Sequence, residues 1–364
     1  MKILFFIPLH FIFTLVTLAQ PKAFSIDIPE NYTKKTNSLY AQIEYIDSRT
    51  FNEYLGFTRD GFGNENYRFM VENPSFDIQL KNIMKSIISD DKSGKRTLVF
   101  QLRRLYFSEL NNRKLNEPRG FCHLRFNLYE NKDGRYYPIN SVDTIVKIKS
   151  LDPTKNLLSV TSSLIFSHID KSMNTESDTT LFYSKTDIDN IALFEKSSIN
   201  LYKAGKLKDG IYRNFAEFAN QEPVGCIFAN IRKDKDLILS FNATDINSGK
   251  EIRTDKTEIY AIVVDGVPYI ANYECYNPLF KKDGEWQFVN NYTVDRCDFY
   301  ETWGVVIKNM KRKKQSKFRE AFSLNMESEL SELNLDDPIP MNIDHLTGEF
   351  IPVPENASVY HYFK

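Results

Sequence analysis

Beyond the first 19 positions the chain carries four histidines, His123, His168, His345 and His361, and they stand singly. Imidazole is the side chain that changes charge nearest neutrality. A metal cage or a catalytic triad would have to draw these rings from distant segments, so each is expected in a surface or satisfied role. Ser89-Asp90-Asp91-Lys92 matches the S-x-x-K pair of penicillin-binding enzymes. That chemistry sets the serine at a helix start with the lysine one turn later in a cleft. Here the tetrapeptide falls at a helix end, before Ser93-Gly94, where both side chains are expected in water. Asp245 to Glu251, "DINSGKE", offers alternating oxygen ligands as calcium loops do, but it is short and carries Lys250, and a hairpin turn explains it with fewer assumptions. Gly61-Phe62-Gly63 lacks the third glycine of a dinucleotide fingerprint, and no G-x-S-x-G, H-E-x-x-H or Walker loop occurs. The four cysteines, Cys122, Cys226, Cys275 and Cys297, include no C-x-x-C pair, which removes the usual zinc and redox signatures. One disulfide, Cys275 with Cys297, is the pairing considered, against buried thiols. Paired carboxylates leave little trace in a sequence. No residue is therefore assigned a catalytic, cofactor-binding or metal-binding role, and no cofactor is expected.

The bulk properties narrow the class. The 364 residues are 42% hydrophobic and 26% charged, which suits a folded chain rather than a disordered one. Phe and Tyr are abundant, at 28 and 20, and such rings favour strands. With 47 basic and 48 acidic side chains there is no excess positive charge to attract nucleic acid. A basic run at Lys308 to Arg319 is followed by an acidic one at Glu327 to Asp337, which reads as a solvated segment neutralised within the chain. Lys2 precedes the apolar run Ile3 to Leu18, and Thr17-Leu18-Ala19 offers small residues to a signal peptidase. The run is short for a membrane span and interrupted by Pro8 and His10. Residues 1–19 are thus predicted to be a signal peptide, cleaved between Ala19 and Gln20, with an exported mature chain, periplasmic or secreted, that keeps no transmembrane segment.

Patterning predicts a β-dominated α+β fold of antiparallel sheets with a few helices, in two parts joined by a helical connection. Residues 20–180 read as an antiparallel sheet with one amphipathic helix. The sheet is built from "LYAQIEYI" (Leu39 to Ile46), "RTLVFQLRRLYFSEL" (Arg96 to Leu110), "GFCHLRFNLYE" (Gly120 to Glu130) and "RYYPINSVDTIVKIK" (Arg135 to Lys149), the last two joined by the turn Asn131 to Gly134. The helix follows Asn73, a candidate cap, with Pro74 at its first position and Phe76, Leu80, Ile83, Met84 and Ile87 at helical spacing. Residues 181–223 read as a helical connector, opened by a Thr186–Asp189 capping pair and closed near Gly205. Residues 224–364 return to strands, with hairpins at Asp265-Gly266 and Asp283-Gly284, a long strand from Asp298 to Met310 and a final turn at Asp344 to Glu349.

The best-punctuated stretch is "KDGIYRNFAEFANQEP", Lys208 to Pro223. Asp209-Gly210 is expected to turn, Ile211 and Tyr212 to be buried anchors, and Asn214 with Glu217 to cap one helical turn. Phe215, Phe218 and Ala219 would then face one way, and Pro223 forbids continuation. Gly210-Ile211-Tyr212 followed by Phe215 and Phe218 resembles a G-[IV]-Y-x-[ST]-F-x-E-F segment of uncharacterised exported proteins of Bacteroidota-type bacteria. Glu217, Phe218, Asn220 and Pro223 fit that segment, whereas Asn214 stands where Ser or Thr is usual. Asp344-His345-Leu346-Thr347-Gly348-Glu349 is similar to a D-x-x-T-G-E turn near their C-termini. The resemblance covers the second half, implies origin and export, and carries no activity.

These observations favour an exported, non-enzymatic protein that binds a protein or glycan of the cell envelope. The runner-up is a carboxylate-dependent hydrolase acting on glycans or other envelope material. A third reading is an assembly factor that adds a strand edge to a partner's sheet.

Overall fold

The computed structural model describes residues 21–49, 54–59, 67–89, 94–112, 117–150, 152–255, 258–271, 275–290 and 339–352. Its fold is β-dominated α+β, with mostly antiparallel sheets and few helices. The expected signal peptide, the long strand at 298–310, the basic run at 308–319, Cys297 and His361 lie outside the described residues.

The first sheet has seven strands. They are β1 (Lys22–Phe24), β2 (Tyr40–Asp47), β3 (Gly56–Arg59), β4 (Tyr67–Glu72), β5 (Arg96–Asn112), β6 (Glu117–Lys132) and β7 (Arg135–Lys149). Long antiparallel pairings of β5 with β6 and β6 with β7 form its spine. Asp133 and Gly134 both take positive φ in the tight turn between β6 and β7, as its Asp-Gly chemistry requires. The sheet is not wholly antiparallel as expected. β1 runs parallel to β4, and β2 and β3 run parallel to β5. Parallel neighbours need a long crossover, and the chain makes one through helix α1 (Phe76–Ile87) on its way into β5.

Helix α1 buries Phe76, Leu80, Ile83, Met84 and Ile87, the five positions its spacing marks. Its start differs from expectation. Asn73 and Pro74 precede the helix, and Glu72 Oε2 accepts from the Phe76 N–H at 2.7 Å in place of an asparagine cap. A second helix that the pattern did not announce, α2 (Pro153–Ser172), follows β7. Asp152 caps it and Pro153 opens it, but its buried stripe mixes Leu157, Ile165 and Ile169 with Thr154, Thr161 and Ser162. The hydroxyls blur the apolar period. Both helices lie on one sheet face, in a core with Leu98, Phe100, Leu102, Leu124, Phe126 and Leu128.

The connector is three short helices, α3 (Lys185–Asp189), α4 (Ile191–Lys196) and α5 (Asn200–Lys203). Its capping box is Ser184 with Asp187, two residues upstream of the expected Thr186–Asp189 pair. A second seven-stranded sheet contains β8 (Gly210–Tyr212), β9 (Cys226–Asp234), β10 (Leu237–Asp245), β11 (Glu251–Ile252), β12 (Ala261–Val264), β13 (Val267–Ala271) and β14 (Tyr276–Pro278). Because β8 pairs with β12, the connector segment expected to end at 223 already contributes a strand to this sheet. A four-stranded sheet follows, of β15 (Phe280–Lys282), β16 (Glu285–Asn290), β17 (Ile339–Ile343) and β18 (Phe350–Pro352). No helix among the described residues is long and apolar enough to cross a membrane.

The docking of α2 is testable. Ile169 is fully buried whereas Val160 on the same helix is 43% exposed. Ile169→Ala is expected to cost about 2–5 kcal/mol by cavity formation. Val160→Ala should cost less than about 0.5 kcal/mol, both read from urea unfolding.

Candidate functional site

Tyr212 and Ile211 are fully buried, as the sequence suggests. Asp209 does more than turn: its Oδ1 accepts from the Gly266 N–H at 2.7 Å, tying β8 to the β12–β13 hairpin. Gly210 opens β8 at φ +142, and a Cβ there would lie 2.5 Å from the Val224 carbonyl oxygen, so only glycine fits. Helix α6 (Phe215–Asn220) is capped by the Asn214 side chain, which accepts from the Glu217 N–H at 2.9 Å. Glu217 returns the bond one residue early, accepting from the Arg213 N–H at 2.7 Å. Phe218 meets Tyr212 edge-on at 5.1 Å and Phe215 meets Tyr260 at 5.8 Å.

The two segments that carry the family resemblance meet in space. Gly348, at φ +75, approaches Phe215 so closely that a Cβ would lie 2.2 Å from its ring. Tyr260 Oη donates to the Gly348 carbonyl at 2.7 Å. The Asp344 to Glu349 turn is closed by Asp344 Oδ1, which accepts from the N–H groups of Leu346 and Thr347 at 3.0 and 3.1 Å.

That turn inserts Asp344 and His345 into a buried ionic cluster which the sequence did not reveal. Its foundation is a β-bulge. Leu102 pairs with Phe126 but Arg104, two residues on, pairs with Arg125. The extra residue is Arg103, so consecutive arginines both serve the sheet face that α1 and α2 leave uncovered. Arg104 Nη1 and Arg125 Nη1 each donate to Asp344 Oδ2 at 2.9 Å, and Arg125 Nη2 donates to Oδ1 at 3.0 Å. The other side of Arg125 meets Asp143 at 2.7 Å, its direct neighbour on β7. His123 Nε2 donates to Asp143 Oδ1 at 2.7 Å, with Glu349 Oε2 4.0 Å from its Nδ1. Beside this group Arg103 grips Glu195 through two bonds of 2.6 and 2.5 Å, and His345 Nε2 donates to the same carboxylate at 2.7 Å. Thus His123 and His345, expected singly, join one cluster, and both are buried.

The electrostatics show what the cluster can do. Burial pushes the Asp344 carboxyl up, but the Arg125 and Arg104 guanidiniums outweigh it and hold it far below the usual carboxylate range. Asp143 behaves alike: burial raises it, and bonds from His123 and Arg125 bring it down to about 2. Burial opposes ionisation of Glu195, yet His345 and Arg103 leave its pKa below normal. His123 moves from 6.5 to about 4, chiefly because burial disfavours the imidazolium, with Arg104 and Arg125 adding repulsion. These three carboxylates are held as anions and His123 as a neutral ring, so none of the four is poised to trade a proton near neutrality.

The other residues singled out in the sequence lie elsewhere in the fold. Asp245 Oδ1 accepts from the N–H groups of Asn247 and Ser248, closing a turn. Among the described residues no group of three or more His, Cys, Asp or Glu is arranged to hold a metal. Cys122, Cys226 and Cys275 are buried, and Cys275 Sγ lies 3.9 Å from Asn277 Oδ1. Cys297, the candidate partner weighed against a buried thiol at Cys275, lies outside the described residues. Ser89 follows α1's end, its N–H bonded to the Lys35 carbonyl at 3.0 Å, and Lys92 of the S-x-x-K match lies outside the described residues.

No family model matches the chain, and no curated protein matches it. Among solved structures it is similar to a Xanthomonas campestris protein of the DUF330 family, at 12% identity and a TM-score of 0.26, over 42% of this chain and 96% of that one. A likeness of that size carries no argument about fold or activity.

Two predictions test the cluster. Asp344→Asn takes the shared anion from the buried Arg125 and the half-buried Arg104 and is expected to cost about 3–5 kcal/mol in urea unfolding. Asp77→Asn, which breaks an exposed pair with Lys81, should cost under about 1 kcal/mol. The second concerns pH. His123 is neutral in the fold, and its unfolded counterpart takes up a proton below about 6.5, so stability falls as pH drops from 6.5 towards 4. Asp143 contributes stability above the ordinary 3.8 that is lost as pH falls through about 2. Urea midpoints should therefore drop between about pH 6.5 and about pH 4, and His123→Gln should flatten that decline.

Proposed function

We propose that this chain is exported and acts by binding a neutral glycan of the cell envelope, without making or breaking bonds. The apolar N-terminal run and the Ala19-Gln20 junction support export. One observation carries the binding reading. Phe182, ahead of the connector, is 48% exposed beside the exposed Leu181, and Phe194, on α4, is 42% exposed beside the exposed Leu193. Phe182 packs against Tyr137 at 6.0 Å, and the Arg135 guanidinium lies 4.9 Å from its ring. Phe194 stands 5.3 Å from Tyr183. Exposed rings backed by an arginine are the composition of binding surfaces.

The charges on the flanking segments have both signs: Lys132 and Arg135 lie over Tyr137 and Phe182, and Lys185 pairs with Asp189. No single-signed field favours a polyanion. A sugar, with apolar ring faces and neutral hydroxyls, suits such a surface.

The hydrolase alternative needs one carboxyl held protonated near neutrality as a general acid. Asp143, Glu195 and Asp344 all shift the other way.

The test is affinity electrophoresis of the mature chain in gels cast with neutral envelope polysaccharide. The native chain should be retarded, and the Phe182→Ala/Phe194→Ala chain should run as in an empty gel. Equal retardation of both chains, or retardation of neither, would remove this site. Mass measurement of the exported product should place its first residue at Gln20.

A further inference from the structure

A second place in the molecule has the opposite electrostatic character to the arginine cluster: its hydrogen-bond donors outnumber its acceptors. Lys196 ends α4 and is almost wholly buried, paired to Glu285 at the start of β16. Its ammonium lies 5.5 Å from the centre of the Tyr202 ring. Lys281, exposed on β15, sets its ammonium 5.9 Å from the Tyr202 ring and 5.9 Å from the Trp286 ring. Its bonded acceptor is the Tyr202 carbonyl, at 3.3 Å. The Tyr202 hydroxyl and the Trp286 Nε1–H are both buried and have no hydrogen-bond partner among the described residues, and Trp286 as a whole is only 9% exposed.

A buried donor left without an acceptor costs about 1–3 kcal/mol, so two around one lysine need a physical reason. Indole donates only, and each ammonium has three donors. Glu285 is the carboxylate paired with Lys196, and Asp344, which Arg104 and Arg125 already neutralise, also acts on Tyr202, so Lys281 is the ammonium of the group without a carboxylate partner among the described residues. A water molecule would accept from these donors but bring two more of its own. An oxyanion accepts and donates nothing. The long flexible stem of Lys281, on an exposed hairpin strand, can swing aside and admit a ligand over the two rings.

We infer that Lys196, Tyr202, Lys281 and Trp286 form a binding site for a singly charged carboxylate. One negative charge neutralises the excess ammonium, and its two oxygens accept from the hydroxyl and the indole while Lys281 closes over it. The site is separate from the exposed rings of Phe182 and Phe194 and does not depend on their reading.

The chain has two tryptophans, so indole-labelled protein gives two Nε1–H resonances, with that of Trp286 assigned by its loss in Trp286→Phe. The full mature chain is titrated with sodium acetate, sodium chloride holding ionic strength constant. The Trp286 resonance should move downfield saturably, as its proton gains an acceptor, while that of Trp303 stays. Lys281 is exposed, so Lys281→Met should fold normally and weaken acetate binding about tenfold or more, the size of one lost charge-assisted bond. The Phe182→Ala/Phe194→Ala chain should titrate as the native one. A linear or absent shift, or unchanged affinity in Lys281→Met, would overturn the site whatever the glycan experiment shows.

Discussion

The molecule's organisation hangs on Asp344, a carboxylate 3% exposed that accepts from Arg104 and Arg125. These partners are 240 and 219 residues away in the chain. A buried guanidinium without an anion is strongly unfavourable, and so is a buried carboxylate without a cation. Neither the β5–β6 face nor the turn between β17 and β18 can be left bare without that penalty. Each requires the other, and the turn therefore docks where the arginines are. Apolar contacts then complete the junction, since Tyr106 and Phe121 of the first sheet pack against the core that contains Tyr212, Trp286 and Phe288.

The bulge at Arg103 is what makes this possible. In a regular strand Arg103 and Arg104 would face opposite ways. One would enter the apolar layer under α1 and α2, where nothing could neutralise it. The inserted residue restores Leu105 and Phe107 to the helix-covered core while both arginines reach carboxylates. Arg103 then recruits Glu195 from α4, and His345 adds a bond to the same carboxylate. The connector and the final turn are thus held by adjacent residues of one strand.

This explains which features were legible. The long strands β5, β6 and β7, the apolar stripe of α1 and the Asp-Gly hairpins each depend on residues within a few positions, and local pattern revealed them. Helix α2 was hidden because Thr154, Thr161 and Ser162 occupy its buried face, where Ser162 Oγ accepts from the Asp27 N–H at 2.6 Å. The ionic cluster was hidden for a different reason. His123, Asp143, Glu195 and Asp344 are ordinary singly, and only a one-residue register change with docking from the far end of the chain assembles them. The alternation Phe100-Gln101-Leu102-Arg103 assigns Arg104, Leu105 and Tyr106 to the wrong faces unless the bulge is known. Among local signals, the doubled arginine inside an otherwise alternating strand was the one available hint.

Two clusters with charged side chains therefore differ in kind. Around Asp344 the acceptors are filled: its two oxygens take three guanidinium bonds and two backbone N–H bonds, and lowered carboxyl pKa values record the resulting stabilisation of the anion. Such a group resists change, because any proton or ligand must displace a bond already made. Around Tyr202 and Trp286 two buried donors are unfilled, and the exposed Lys281 ammonium beside them donates to the Tyr202 carbonyl at 3.3 Å. Charge density alone would rank the first cluster as the place where chemistry happens. The filled acceptors of Asp344 hold a structure together, whereas unfilled donors have free energy to gain from a ligand, and that difference reverses the ranking.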